Sequence, residues 1–487
     1  MTQLNSIPQA LRSAIEAHGQ RNILHDKEGA VTFLELARIS DGIALELRKA
    51  SIGAQDRVVI SMTASRWTWA SFWAIWKLGA VPVAIGDLDG AQLHQTLKRA
   101  EAKAHIFAAD RLDKITSAYH GDLAPVAFFA DDDCGPNVRN LRVLSSDTPI
   151  WAEPDAEDTA SIVFSSGTTG LPKGIVHTHR SLLAAAQNTS TCFGLSAGDK
   201  VLSVNQIYHV WSQVAVILTG SLTACETVLT SFSYPETLHM LEDHNIQLMH
   251  APPPVLSALA AGDIRGFDLS NLRRIITGGA PANVAAIRKI TENHPQIEVR
   301  NGYGCSEYIL ATMDQPGTPL TPPGSSGAIV PEVEVKILNH DASGAGEIAV
   351  RAPSMMQGYL DDPETTRKSF SDGYFMTGDL GSFRDGQLYV SGRLKDIVIV
   401  NGENVVPTEV EIAVNAFPGV VKSAAYGMPH PSAGEAIKIK VVPAEGVDID
   451  QVGLLKHLRG QLSRNKVPRA IEFVDAIAET ATGKIIR

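Results

Sequence analysis

The stretch FSSGTTGLPKG, Phe164–Gly174, gathers two serines, two threonines, three glycines and a lysine within eleven positions. Hydroxyls, exposed amides and an ammonium are the groups that hold phosphate oxygens, so the chemistry suited to this composition is binding of a polyphosphate. The spacing is not that of a Walker A loop, which needs G-x-x-x-x-G-K-[ST]. Here Leu171 and Pro172 separate Gly170 from Lys173, and Gly174 stands where a Ser or Thr would hold magnesium. The residues that follow, GIVHT, read as a strand and not as a helix N-terminus that could cradle phosphate. Two readings remain: a loop between strands whose Ser165, Ser166, Gly167, Thr168, Thr169, Gly170 and Lys173 contact phosphate, or an ordinary connection.

Further polar clusters fall at strand ends and turns: TGGAP (277–281), NGYGCSE (301–307), GYFMTGDLG (373–381), SGRLKDIVIVNGEN (391–404) and TGKIIR (482–487). In this order, from about residue 30 to the C-terminus, the set resembles the acyl-adenylating superfamily of acyl- and aryl-CoA ligases, luciferases and peptide-synthetase adenylation domains. In character it is closest to an aryl- or acyl-CoA ligase. The resemblance implies that a carboxylate attacks the α-phosphate of ATP, giving an acyl-adenylate and pyrophosphate, before the acyl group passes to a thiol. Two anions must meet in the first step, so the catalyst's work is positioning and charge neutralisation.

The resemblance also implies roles. Ser165 to Lys173 would wrap the β- and γ-phosphates, and Glu307 would bind Mg²⁺, a hard cation that prefers oxygen. Tyr303 and the Gly278-Gly279-Ala280 backbone would flank adenine, with Asn301, Gly302, Gly304, Cys305 and Ser306 completing the nucleotide contacts. Asp379 would accept hydrogen bonds from the ribose hydroxyls, and Arg393 would reach the ribose or phosphate. Lys484 would enter the site from the terminal segment to neutralise charge as the new bond forms. Lys395 would be the hinge about which a small domain rotates for thiol attack, and Gly402 would line the thiol channel. Asn401 stands where many relatives have a second glycine.

His209 occupies the position at which amino-acid-activating relatives place an aspartate, and a mostly neutral imidazole cannot pair a buried ammonium. An α-amino acid is therefore disfavoured. The acid pocket is expected at His209, Val210, Trp211, Gly279, Gly304 and Ile309, where a tryptophan wall favours a compact or aromatic acid. Ala433 replaces the aromatic that CoA users often stack on adenine, whereas Lys466 and Arg469 keep part of the basic set. Coenzyme A is the first expectation for the acceptor. A stand-alone enzyme loading an acyl carrier protein through its phosphopantetheine, in secondary metabolism, is the second, and a catalytically inactive nucleotide-binding relative is a remote third.

These residues need a scaffold. β-branched runs (RVVISM, AHIFAA, ASIVFSS, LRRIITGG) alternate with helical stretches such as SLLAAAQNTSTCFG, which argues for α/β layers and a largely parallel sheet. Past residue 330 the texture becomes strands joined by turns, with Asp385-Gly386 as a hairpin signal. The expected fold is α/β: a large N-terminal domain of layered α/β subdomains plus a β-rich subdomain (1–392), a hinge (393–396), and a small α+β domain (397–487). Trp69, Trp73 and Trp76 share a helix face and read as core. His177 and His179 in HTH lack a third ligand at useful spacing and read as a strand-to-helix turn.

Composition narrows the classes. With a net charge of −11 and no basic block, a nucleic-acid partner is excluded. Four dispersed cysteines suggest neither disulfides nor a zinc site. No apolar run approaches the ~20 residues of a membrane helix, and a cytoplasmic protein, monomer or homodimer, is expected.

Overall fold

The structure, a computed structural model, describes residues 5–121, 123, 126–165, 172–281, 283–318, 322, 324–342, 344–479 and 485. The chain is a mixed α/β protein that divides into two compact units, one of residues 1–323, 329–334 and 351–369, the other of 324–328, 335–350 and 370–487.

The first unit carries two large sheets. One has eight strands in the order Gly358–Tyr359, Lys173–Thr178, Thr159–Ser165, Val81–Ala84, Arg57–Ser61, Ala104–Phe107, Ala127–Ala130 and Val138–Asn140. It is parallel except at the first two strands, which run antiparallel to their neighbours. The other has seven: Glu298–Gly302, Arg274–Gly278, Leu248–His250, Lys200–Ser203, Glu226–Leu229, Asn22–Asp26 and Gly29–Thr32, with only the last antiparallel. Buried on both faces, parallel strands need continuous apolar runs, which is why AHIF and RIIT show little alternation.

The tryptophan-rich helix, Arg66–Lys77, starts at Ser65, whose side chain accepts the Thr68 amide. Trp69, Trp73 and Trp76 are fully buried, and Trp76 Nε1 donates to the Ala160 carbonyl at 2.7 Å, tying the helix to the strand that leads into the polar loop. The expected core reading holds. Lys77, at the end of this helix, is also fully buried, its ammonium 2.5 Å from Asp41 and 4.6 Å from the centre of the Trp151 ring. A buried charge of this kind is tolerated only when paired.

The second unit contains two five-stranded sheets. Strands Tyr374–Arg384 and Gln387–Arg393 form the expected hairpin, with Asp385 and Gly386 both at positive φ (50° and 77°) as a two-residue turn of this twist requires. The last sheet pairs Val420–His430 with Gly434–Pro443 and adds Val398–Val400, Glu403–Val405 and Ala470–Phe473. Among the described residues no helix is long and apolar enough to cross a membrane.

Candidate active site

The polar loop joins two antiparallel strands whose ladder ends with Ser165 opposite Lys173. Ser166, Gly167, Thr168, Thr169 and Gly170 lie outside the described residues, as does Lys484. Arg99 Nη1 donates to the Pro172 carbonyl at 2.6 Å and Nη2 to the Leu360 carbonyl at 3.4 Å, while the guanidinium covers the Phe164 ring. A side chain on Gly174 would stand 2.8 Å from Leu360, so this glycine is required by the close approach of strand Gly358–Tyr359.

The same strand that carries Lys173 carries His177, and through it holds the YGCSE segment. His177 Nε2 lies 2.8 Å from the Ser306 carbonyl, which can only accept, so Nε2 bears the proton. Burial pushes this imidazole down to about 4, with the Ser306 bond and the nearby Glu307 opposing, so it is neutral. His179 turns elsewhere: its Nδ1 accepts the Ile7 amide at 3.3 Å. The two histidines therefore serve a strand-to-helix turn, and among the described residues no group of three or more His, Cys, Asp and Glu gathers as a metal site.

Glu307 is fixed on two sides. Its carbonyl accepts the Met356 amide at 2.7 Å, and its Oε1 accepts the Tyr359 hydroxyl at 3.0 Å. Lys173 Nζ lies 4.9 Å from the centre of the Tyr359 ring. Lys173 and Glu307, which sequence reasoning named separately, thus meet on one aromatic residue that it missed. The stretch QGYL (357–360) carried no periodicity or charge pattern to single out Tyr359. Arg99 was hidden in the same way, on the helix Gly90–Ala100 that reads as ordinary amphipathic surface.

Asn301 and Gly302 end the strand Glu298–Gly302 and residues 303–309 follow it, where open α/β sheets present ligand sites. The glycines there have different causes. A side chain on Gly278 would meet the Gly302 carbonyl at 2.7 Å, and one on Gly304 would meet the Ile309 carbonyl at 2.0 Å, so both serve backbone packing. Gly279 is at φ +83° with nothing within 4 Å, so its surface is open to a ligand, beside the half-buried Ala280. Tyr303 pairs with Thr312 through backbone bonds, and its ring lies 6.0 Å from that of Tyr308. Asn301 is buried, whereas Cys305 and Ser306 are half-buried. Ile309 is buried at φ +66°, a left-handed conformation that costs a β-branched residue about 1–3 kcal/mol.

His209 and Trp211 are half-buried and Val210 is buried. The His209 ring lies 4.3 Å from Tyr208, and its carbonyl starts the helical segment by accepting the Ser212 and Gln213 amides. Residues Gln213–Leu218 continue as a π-helix, a form concentrated at functional sites. Trp211 stands edge-on to Phe193 at 6.1 Å, and Phe193 edge-on to His250 at 5.0 Å. His250 ends a central strand and is 1% exposed, and neither ring nitrogen has a partner among the described residues. Burial pushes it down to about 3. Sequence reasoning passed over it because LMHAPPP looks like an apolar strand end.

In the second unit Asp379 and Arg393 are cross-strand partners, and Arg393 Nε donates to Asp379 Oδ1 at 3.1 Å. The Asp379 amide is held by Thr377 Oγ1 at 3.0 Å. Lys395 is exposed within the turn Leu394–Asp396. Asn401 and Gly402 are both at positive φ (51° and 79°) and connect strands Val398–Val400 and Glu403–Val405. The departure at Asn401 is therefore conservative in backbone terms, since asparagine is the side chain that best tolerates this turn position.

The Glu307 carboxylate, held at Oε1 by Tyr359, fits a magnesium ion, which binds through one or two carboxylates plus phosphate oxygens and keeps several waters. The chain matches the family model described as AMP-binding enzyme over residues 11–360, and that of the AMP-binding enzyme C-terminal domain over residues 409–484. It is 30% identical to the 3-[(3aS,4S,7aS)-7a-methyl-1,5-dioxo-octahydro-1H-inden-4-yl]propanoyl:CoA ligase of Rhodococcus jostii (strain RHA1), covering 100% of this chain and 98% of that one. It is also 30% identical to feruloyl-CoA synthase of Amycolatopsis sp, over 94% of this chain and 93% of its relative. The ATP-bound MatB from Rhodopseudomonas palustris shares the fold, with a TM-score of 0.90 at 24% identity over 99% of this chain and 97% of that one. The chain belongs to the AMP-binding enzyme family, within the acyl-adenylating superfamily that its motifs resemble, and is an AMP-forming acid–thiol ligase.

Proposed function

We propose that the chain activates a compact or aromatic carboxylic acid with ATP and passes the acyl group from the adenylate to coenzyme A. The observation that carries the choice of acid is the aromatic wall of Trp211 set edge-on against Phe193 beside His209. A flat, rigid wall suits a ring and leaves no straight channel for a long alkyl chain. The two relatives named above act on ring-bearing acids, which agrees with this reading.

In the proposed reaction Lys173 and the Ser165–Gly170 segment neutralise the outer phosphates, and Glu307 holds the magnesium ion that accompanies ATP. Asp379 and Arg393 share the ribose and phosphate, and their existing ion pair keeps the carboxylate oriented for the ribose hydroxyls. Lys484 supplies charge at the α-phosphate. The segment 393–396 serves as the hinge between residues 1–392 and 397–487, bringing Gly402 to the thiol arm for the second step.

Ala433, in place of an aromatic that could stack on the CoA adenine, favours a second reading in which a carrier protein's phosphopantetheine is the acceptor. Exchange of pyrophosphate into ATP, measured over benzoates, hydroxybenzoates, cinnamates, fatty acids and amino acids, tests the first step. Strong exchange with ring-bearing acids, extended to longer acids by Trp211→Ala, is the expected result. Best exchange with a long fatty acid, unchanged in the variant, would overturn the proposed pocket. Thioester formation on CoA against a loaded carrier protein then separates the acceptors.

A further inference from the structure

Tyr359 touches two groups of opposite charge in two different ways. Its hydroxyl donates to Glu307 Oε1 at 3.0 Å, and its ring face lies 4.9 Å from Lys173 Nζ. The residue itself is held firmly: it pairs with Ile175 in the antiparallel ladder, and its amide donates to Thr366 Oγ1 at 2.9 Å. Gln357 and Leu360 extend the same ladder by donating to the Val176 and Gly174 carbonyls, each at 2.8 Å. The backbone of one short strand thereby sets the distance between a lysine and a carboxylate that are 134 positions apart in sequence (307 − 173).

We propose that Tyr359 is a positioning residue for adenylation, orienting Glu307 for the magnesium ion by its hydroxyl and steadying Lys173 for the outer phosphates by its ring. This deepens the proposed function and rests on the roles given there to Lys173 and Glu307. The physical basis is direct. With Oε1 accepting this hydrogen bond, the carboxylate loses rotation that would otherwise be frozen when it binds a cation. Partners of this kind behind a metal ligand are worth 10- to 100-fold in metal affinity. The ring contact is a separate contribution, because an ammonium over an aromatic face is stabilised by electrostatics that need no hydroxyl. The arrangement uses a single side chain to keep the two sites in register, so ATP with its magnesium meets both groups at a fixed spacing.

The two contacts can be removed one at a time. Tyr359→Phe keeps the ring and loses the hydroxyl, whereas Tyr359→Leu loses both. The measurement is ATP affinity by titration calorimetry across a series of Mg²⁺ concentrations, with Glu307→Gln and wild type alongside and melting temperatures as a check on folding. The Mg²⁺ dependence of acid-stimulated pyrophosphate exchange gives the kinetic counterpart. Tyr359→Phe is expected to raise the Mg²⁺ concentration for half-maximal ATP binding about tenfold or more, with Mg²⁺-free ATP affinity unchanged. Tyr359→Leu is expected to add a further loss of about 2- to 5-fold that persists without Mg²⁺. A Mg²⁺ dependence altered in Glu307→Gln but unchanged in Tyr359→Phe overturns the inference alone. A Mg²⁺ dependence unchanged in Glu307→Gln removes the role assigned to that carboxylate, and the inference with it.

Discussion

His250 shows how much a single residue can be asked to bear. It closes a central parallel strand, is 1% exposed, and finds no partner for either ring nitrogen among the described residues. A buried polar group left unbonded costs about 1–3 kcal/mol, whereas an apolar group of similar volume costs nothing of the kind. His250→Leu is therefore expected to stabilise the protein by about 1–2 kcal/mol in urea unfolding; destabilisation would show that the imidazole is engaged after all. Tyr359 and Arg99 illustrate the opposite case, in which an undistinguished position in the sequence becomes central because of what the fold brings to it. Neither could be read beforehand, since their partners lie far away in sequence: Arg99 bonds Pro172, and Tyr359 bonds Glu307. Lys173, Glu307, Asp379 and Arg393 were legible because residue type and local context announce them, but the Asp379–Arg393 ion pair exists only through the register of a hairpin.

At the level of elements the sequence was a better guide. Runs of β-branched residues marked the parallel strands, whereas the caps at Ser65 and Asp450, which start two helices, emerge only in the structure. The hairpin at Asp385-Gly386 was legible from turn chemistry, and the same chemistry explains the turn at Asn401-Gly402, which the family pattern alone presents as a departure. Both of its residues are at positive φ, where a side chain without asparagine's local hydrogen bonding costs about 1–2 kcal/mol. Asn401→Val is expected to lower stability by that amount, while Asn401→Gly stays within a few tenths of a kcal/mol. Chemical denaturation of both variants checks it, and equal stability of Val and Gly would remove the backbone explanation. Less legible was the π-helix at Gln213–Leu218, because an extra residue in a turn leaves the apolar pattern intact. Gln213 Oε1 accepts the Ser161 hydroxyl at 2.7 Å, a long-range contact that anchors this segment to the strand feeding the polar loop.

For the molecule as a whole, four histidines govern the response to acid. Burial holds His105 and His250 down to about 3 and His177 and His179 down to about 4. Unfolded, each would take a proton as the pH falls through about 6.5. Above that value they leave stability undiminished, and as the pH drops toward the folded values each withdraws about 1.4 kcal/mol per unit. At pH 5 the four together withdraw up to roughly 8 kcal/mol, comparable with the whole stability of a typical domain. Cooperative acid unfolding is expected near pH 5, and a circular dichroism titration that found the native signal intact at pH 4 would contradict it. Ser165 and Lys173 face each other at the end of a ladder that is pinned by Arg99 and by the strand Gly358–Tyr359. Register fixes where the backbone of Lys173 stands. A replacement of Lys173 thereby removes a charge without moving the strand, so whatever nucleotide binding it loses is an electrostatic readout and not a displaced backbone.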